Sequence, residues 1–171
     1  MGSWLFIILK LLSILIFLLT AFITVTADVV RPQLFSFELK NADSQEYKTL
    51  EMINRHPSVT KGPYKIWINY SPISYFMTGG RAFVSPKHPD KIFLNRLSKN
   101  EPYVDMVIAH EVGHLESSLD SEFIADKFAA KIVGTKRVLD GLKWMSDNYG
   151  EYEEGNQRIR RMEILNKNSF K

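Results

Sequence analysis

Two histidines four positions apart constrain this chain more than any other feature of its sequence. His110 and His114 enclose Glu111 in the order H-E-x-x-H, directly after the apolar run 107–109. Residues i and i+4 of an α-helix share a face, so both imidazoles can bind one metal ion while Glu111 points at a water molecule held there. The apolar run predicts a buried helix, and these three side chains are costly to bury unless a charged group pairs with them. The pattern therefore predicts a buried helix that carries a zinc site.

The first 27 residues differ from the rest of the chain. Positions 4–27 contain 19 apolar residues among 24 and no acidic residue. At about 1.5 Å per residue, such a helix would be roughly 36 Å long, enough to cross a hydrocarbon core of about 30 Å. We therefore expect a single-span membrane anchor at 1–27 and a single-pass membrane location. A signal peptide cleaved before Asp28, which would make the protein secreted, is the less favoured alternative. Lys10 could extend to the near interface and Arg31 flanks the far side of the segment, so the membrane side stays open.

The remaining residues, 28–171, have the size of one ordinary domain. Removing 1–27 takes away one of the 22 basic residues and none of the 19 acidic ones, which leaves a net charge of +2. Without a polybasic tract, nucleic acid is not an expected partner. The chain has no cysteine. Disulfides and thiolate ligands are therefore excluded, and nitrogen and oxygen atoms must hold the metal.

Hydrophobic periodicity and turn residues predict an α+β domain, with a small antiparallel sheet packed against the motif helix. The strands are expected at 34–39, 65–70, 81–85 and 91–94, with 75–77 as a further candidate. A helix from Asp43 or Ser44 to about 55 precedes the second strand. After position 100 the chain is expected to be helical, at 101–116, 120–133, 135–147 and 157–167.

The third zinc ligand is expected to be a carboxylate, because catalytic zinc normally has three protein ligands and a water molecule. The other two histidines, His56 and His88, lie in loop sequences upstream and are expected at the surface. Glu122 is the favoured ligand, since a short turn after the motif helix would fold the next helix back beside it. Asp126 follows at i+4 on the same face, where it can accept the free ring N–H of a ligating histidine.

Asp120 is an alternative third ligand. In the pattern H-E-x-x-H-x-x-G-x-x-H the third ligand falls six residues after the second histidine, which is Asp120 in this chain. The glycine that permits the tight turn in that pattern is replaced by Ser117. Capping the N-terminus of the next helix is the other role open to Asp120.

The H-E-x-x-H motif followed by E-x-x-A-D at 122–126 resembles the membrane zinc metallopeptidases that include the CaaX prenyl proteases and the HtpX heat-shock proteases. The segments 66–70, 74–79 and 81–85 are similar to that family's strand, N-A-F-x-x-G segment and following strand, and 158–162 to its closing R-I-x-x-L helix. The resemblance covers roughly 65–165. Only seven residues separate the second histidine from the glutamate, where the family usually has a long insertion, so this chain would be a minimal version.

The resemblance implies zinc ligands at His110, His114 and Glu122, a general base at Glu111 and a supporting carboxylate at Asp126. The family's histidine before the last helix is replaced by Tyr152, whose hydroxyl could stabilise an oxyanion.

The expected function is therefore that of a membrane-anchored zinc endopeptidase acting on a peptide or protein substrate. Zinc would activate a water molecule, Glu111 would take its proton, and the substrate would add to the sheet edge at 81–85. The alternative from another class is a membrane-anchored binding or scaffold protein with a structural or vestigial zinc site.

Overall fold

The computed structural model describes residues 2–30, 35–71, 81–99, 101–117, 121–150 and 153–168. Within these ranges the chain is α+β, with six α-helices and a four-stranded mixed sheet. The elements in chain order are α1 (Gly2–Val30), β1 (Ser36–Glu38), α2 (Gln45–Asn54), β2 (Lys65–Asn69), β3 (Ala82–Ser85), β4 (His88–Asn95), a 3₁₀ turn (Arg96–Ser98), α3 (Val104–Glu116), α4 (Glu122–Val133), α5 (Thr135–Tyr149) and α6 (Glu153–Asn168).

The sheet has the strand order β1-β2-β4-β3. Strand β1 is antiparallel to β2, β3 is antiparallel to β4, but β2 and β4 are parallel, with Ile66 opposite Ile92 and Ile68 opposite Leu94. The prediction of an antiparallel sheet is therefore wrong. In the tight β3–β4 hairpin, β3 lies on the outer side of β4 and not between β2 and β4. Strand β4 therefore pairs directly with β2 and runs in the same direction. Strand β3 lies at the edge of the described sheet. The candidate strand at 75–77 lies outside the described residues.

The hydrophobic core lies between one face of the sheet and the helices. Alternate strand residues point to the same face of a sheet, and Ile66, Ile68, Ile92 and Leu94 meet the apolar side of α3 in this way. Fully burying one such side chain stabilises the fold by about 1.5–3 kcal/mol. Helix α3 is buried almost throughout, with its apolar residues in the core. The helix that carries the H-E-x-x-H motif is thus the central helix of the domain, as the apolar run before His110 predicts.

The prediction of a transmembrane anchor is wrong. Helix α1 forms, but its side chains are described only at position 4 and at 6–22. Among the described residues, no helix combines the length and the apolar character needed to cross a membrane. The predicted single-pass membrane location rested on this segment and is wrong with it.

Candidate metal centre

The candidate site lies where α3 and α4 meet. Seven residues, 115–121, connect His114 to Glu122. The two helices approach closely because Gly113 of α3 has no side chain: a Cβ atom there would lie 2.8 Å from both the Cα and the carbonyl oxygen of Ala125. The hydroxyl of Ser121 caps α4 by accepting a hydrogen bond from the backbone N–H of Ile124 at 3.3 Å. These two local features place the first turn of α4 beside the histidines of α3.

Three side chains converge at this helix crossing. The Nε2 atoms of His110 and His114 lie 3.1 Å apart. Glu122 places Oε2 at 3.1 Å from His110 Nε2 and Oε1 at 3.2 Å from His114 Nε2. Both histidines are buried, whereas the side chain of Glu122 is 39% exposed. The three side chains form the only group of potential metal ligands of this kind within the described parts of the chain.

The donor atoms of these three side chains fit a zinc ion. A tetrahedral zinc with bonds of about 2.0–2.1 Å holds its ligand atoms roughly 3.3–3.4 Å apart. The two histidine Nε2 atoms lie 3.1 Å apart, and each lies 3.1–3.2 Å from one oxygen of Glu122, Oε2 for His110 and Oε1 for His114. Imidazole nitrogen and carboxylate oxygen are both ordinary zinc ligands, and three protein ligands are the number found in catalytic zinc sites. The chain therefore holds a suitable donor set in nearly the required arrangement.

Asp126 orients one of the two histidines. Its Oδ1 lies 2.9 Å from Nδ1 of His110, and its side chain is fully buried. A carboxylate accepts but does not donate, so Nδ1 carries a proton, and Nε2, which faces the cluster, is the nitrogen whose lone pair becomes available when the ring is neutral. The structure thus places Asp126 against the ring of His110, and its role as the partner of a metal-bound histidine stays a prediction. His114 differs, because its buried Nδ1 has no hydrogen-bond partner among the described residues.

Arg158 of α6 completes the network and was not predicted as a site residue. Its Nε and Nη2 donate to the two oxygens of Asp126, at 2.8 and 2.7 Å, and its Nη1 lies 2.9 Å from Oε2 of Glu122. Only 9% of the residue is exposed. The one sequence signal for it is the R-I-x-x-M segment at 158–162, which is similar to a closing helix. Nothing in its spacing indicated a contact with residues more than thirty positions earlier.

Burial and charge perturb the titration of these groups. Burial opposes the charged form of His110, but hydrogen bonds with Asp126 and Glu122 outweigh it and raise the histidine pKa to about 9. Hydrogen bonds from both histidines, against the effect of burial, hold the pKa of Glu122 far below its ordinary value. Burial raises the pKa of Glu111, although the neighbouring histidines oppose this shift. The cluster therefore favours negative charge on Glu122 and positive charge beside it.

The other predicted residues separate into two groups. His56 accepts a hydrogen bond from the backbone N–H of Ser58 at 3.2 Å, and His88 contacts the ring of Phe93 in β4. Neither belongs to the cluster, but both are half-buried instead of lying at the surface, and His88 is the first residue of β4 and not part of a loop. Asp120, the alternative third ligand, and Tyr152, the candidate oxyanion donor, lie outside the described residues.

The chain matches no model of a known protein family, and no curated protein or solved structure is detectably similar to it. The case for a function therefore rests on the geometry and chemistry of the cluster.

Proposed function

We propose that this protein is a zinc-dependent endopeptidase whose metal ligands are His110, His114 and Glu122. The observation that carries the proposal is the convergence of their three donor groups to within 3.2 Å of one another beside a buried glutamate. A binding site for a divalent cation needs such a donor set, and a hydrolytic site needs in addition a base close to it. Glu111 supplies that base.

The charge of the cluster supports a divalent cation. Glu111, Glu122 and Asp126 contribute three carboxylates, and Arg158 contributes one positive charge. With both imidazoles neutral, as metal ligation requires, the four charged groups carry a net charge of −2, which one Zn²⁺ would balance. Buried charges are costly unless they are paired.

When bound, zinc would supply a Lewis acid and would lower the pKa of a water molecule. Glu111 would accept a proton from that water and pass it to the leaving amine. Its buried position suits both tasks, because burial raises the carboxyl pKa toward the range in which a group can take up and release a proton. Asp126 would hold the ring of His110 in one orientation and one tautomer. The half-exposed side of the cluster, at Glu122, would leave room for a substrate.

An extended substrate would add to strand β3. Within the described parts of the chain this strand lies at the edge of the sheet, with β4 as its only neighbour in the strand order. Backbone hydrogen bonds to an edge strand align a peptide without requiring a particular sequence. An endopeptidase of broad specificity would recognise its substrates in this way, by their extended backbone and not by a particular side chain.

The proposal is tested with the substitution Glu111→Gln in the full-length chain. We expect the wild-type protein to bind one zinc per chain and to cleave an unfolded protein substrate, with the cleavage lost on chelation and restored by zinc. Glu111→Gln should keep the zinc and lose at least about 100-fold in rate, since general base catalysis contributes 10²–10⁴-fold. Glu51→Gln, which alters an exposed glutamate of α2, is the matched control. Cleavage that survives Glu111→Gln would overturn the proposal.

A second candidate is a binding protein in which the same cluster has only a structural role. The ion pairs of Arg158 with Asp126 and Glu122 favour it, because they stabilise part of the cluster without any metal. The same experiment separates the candidates. Stoichiometric zinc without cleavage of any unfolded substrate would indicate a structural metal site, and a wild-type protein without zinc would indicate an ion-pair cluster.

A further inference from the structure

Arg158 connects two carboxylates that have different tasks in the proposed metal centre. One edge of its guanidinium pairs with both oxygens of Asp126, and Nη1 reaches Oε2 of Glu122 at 2.9 Å. An arginine fork that pairs bidentately with a carboxylate is fixed in direction as well as in charge. The pairing with Asp126 therefore fixes the position of Nη1, and Nη1 in turn fixes the position of Glu122.

The Arg158 side chain on α6 is held in rigid surroundings. Asp126 is fully buried in α4, and Met162, one helical turn after Arg158, is also fully buried. Long side chains at exposed positions sample many rotamers, whereas a side chain packed and paired in this way does not. Glu122 itself has the most exposed side chain of the cluster. Among the donor groups, it is the one whose position depends most on a partner.

The two oxygens of Glu122 are in different surroundings. Oε2 has Arg158 Nη1 at 2.9 Å as well as His110 Nε2 at 3.1 Å, while Oε1 lies 3.2 Å from His114 Nε2. A carboxylate oxygen engaged by a guanidinium is a weaker donor to a metal than its free partner, because the arginine already draws on its charge. The pairing therefore favours ligation through a single oxygen, Oε1.

We propose that Arg158 is a positioning residue of the metal centre, which holds Oε2 of Glu122 so that only Oε1 binds the metal and a coordination position stays open. The inference rests on the proposed zinc function. One-oxygen ligation matters because three protein ligands leave a fourth position for water, whereas a glutamate that binds through both oxygens would fill it.

The test measures metal binding by the full-length chain and not its activity. Zinc affinity is determined by competition with a chelator for the wild type, Arg158→Met and Arg158→Lys, and Co²⁺ replaces Zn²⁺ for absorption spectra. Arg160→Met is the matched control, because it removes an exposed arginine from the same helix. Unfolding curves of the metal-free proteins show which variants fold.

We expect Arg158→Met to weaken zinc binding by about 10–100-fold, the usual effect of removing a partner of a metal ligand. Its Co²⁺ form should also absorb more weakly in the visible range than the wild type, as five-coordinate Co²⁺ does relative to four-coordinate. Arg158→Lys should keep the fold but lose the fork, so it should show the same spectral change with a smaller loss of affinity. Arg160→Met should match the wild type in both measurements.

The outcomes separate this inference from the function on which it rests. Wild-type protein that binds zinc, together with folded Arg158 variants of unchanged affinity and unchanged Co²⁺ spectrum, would overturn the positioning role and leave the zinc site in place. If Arg158→Met fails to fold, Arg158→Lys decides by the same two criteria. Wild-type protein that does not bind zinc would overturn the proposed function and this inference together. A purely structural role for Arg158 would lower stability without changing the spectrum of the loaded protein.

Discussion

Gly113→Ala tests whether the close approach of α3 and α4 forms the metal centre. The added Cβ would lie 2.8 Å from two backbone atoms of Ala125 and 3.1 Å from Cβ of Phe128. Ordinary contacts of this kind begin near 3.4 Å, so the helices must separate by about 0.6 Å. Because backbone atoms cannot rotate away, the whole of α4 must move, and it carries Glu122 and Asp126. The distances from Glu122 to the two histidines, 3.1 and 3.2 Å, would then approach about 3.8 Å, beyond the roughly 3.3–3.4 Å of a tetrahedral zinc site.

The expected change in stability is smaller than the change in metal binding. Overpacking costs about 1–3 kcal/mol, while alanine in place of glycine inside a helix returns about 1 kcal/mol. The net loss in free energy of unfolding should therefore be about 0–2 kcal/mol. Zinc affinity should fall by at least 10-fold, since the donors of α4 no longer reach those of α3. Urea unfolding of the metal-free protein and chelator competition measure the two quantities.

Gly141→Ala is the matched control for this prediction. Its Cβ would meet the terminal methyl group of Met106 at 2.7 Å, and a flexible side chain can rotate away where a backbone cannot. The helix it belongs to, α5, contributes no donor atom to the cluster. We expect a stability change within about 1 kcal/mol of the wild type and unchanged zinc affinity. A Gly113→Ala protein that binds zinc as tightly as Gly141→Ala would refute the reasoning.

Four further substitutions test two helix caps, a buried ion pair and a buried tyrosine. Ser121→Ala should lower the free energy of unfolding by about 0.5–2 kcal/mol, as should Ser44→Ala at the cap of α2, but only the former should weaken zinc binding. Asp126→Asn breaks a buried ion pair and should cost about 3–5 kcal/mol in the metal-free protein; a loss below 1 kcal/mol by urea unfolding would contradict this. Burial and then its hydrogen bond to Glu116 raise the pKa of Tyr64, so the neutral hydroxyl stabilises the fold below pH 10 and this contribution is lost as the pH rises further. The difference in unfolding free energy between wild type and Tyr64→Phe should therefore shrink above pH 10, and a constant difference would disprove it.

The helices around the site could be predicted because their signals are local. The helix expected at 101–116 is observed at Val104–Glu116, and those expected at 120–133 and 135–147 are observed at Glu122–Val133 and Thr135–Tyr149. The apolar periodicity of a helix and the glycine at position 134 can both be recognised from residues that are neighbours in the sequence. The α3 start differs because Tyr103 adopts a left-handed conformation with φ of 67°, which the sequence does not indicate.

The parallel pairing of β2 and β4 could not be predicted in the same way. Both strands contain an unbroken apolar run, 66–68 in β2 and 92–94 in β4, and such a run does not by itself give the direction of the partner strand. What decides the pairing is where the β3–β4 hairpin lies in the sheet, which depends on contacts between distant segments. The network of Arg158 has the same origin, since 32 positions separate it from Asp126.

The seven residues between His114 and Glu122 require α3 and α4 to pack closely, and Gly113 allows this close packing. A connection this short keeps α4 against α3, so the distance between the helix axes must be small enough for Glu122 to reach both histidines. Helices normally pack at 8–10 Å depending on the side chains at the crossing, and here the crossing is formed by a glycine and Ala125, the smallest pair that a helix interior readily accepts. A larger residue at either position would require either a longer connection or a longer ligand side chain. Position 113 of the H-E-x-x-H motif is therefore constrained in this chain by the shortness of the connection, and Gly113 would contribute to the proposed metal centre without touching it.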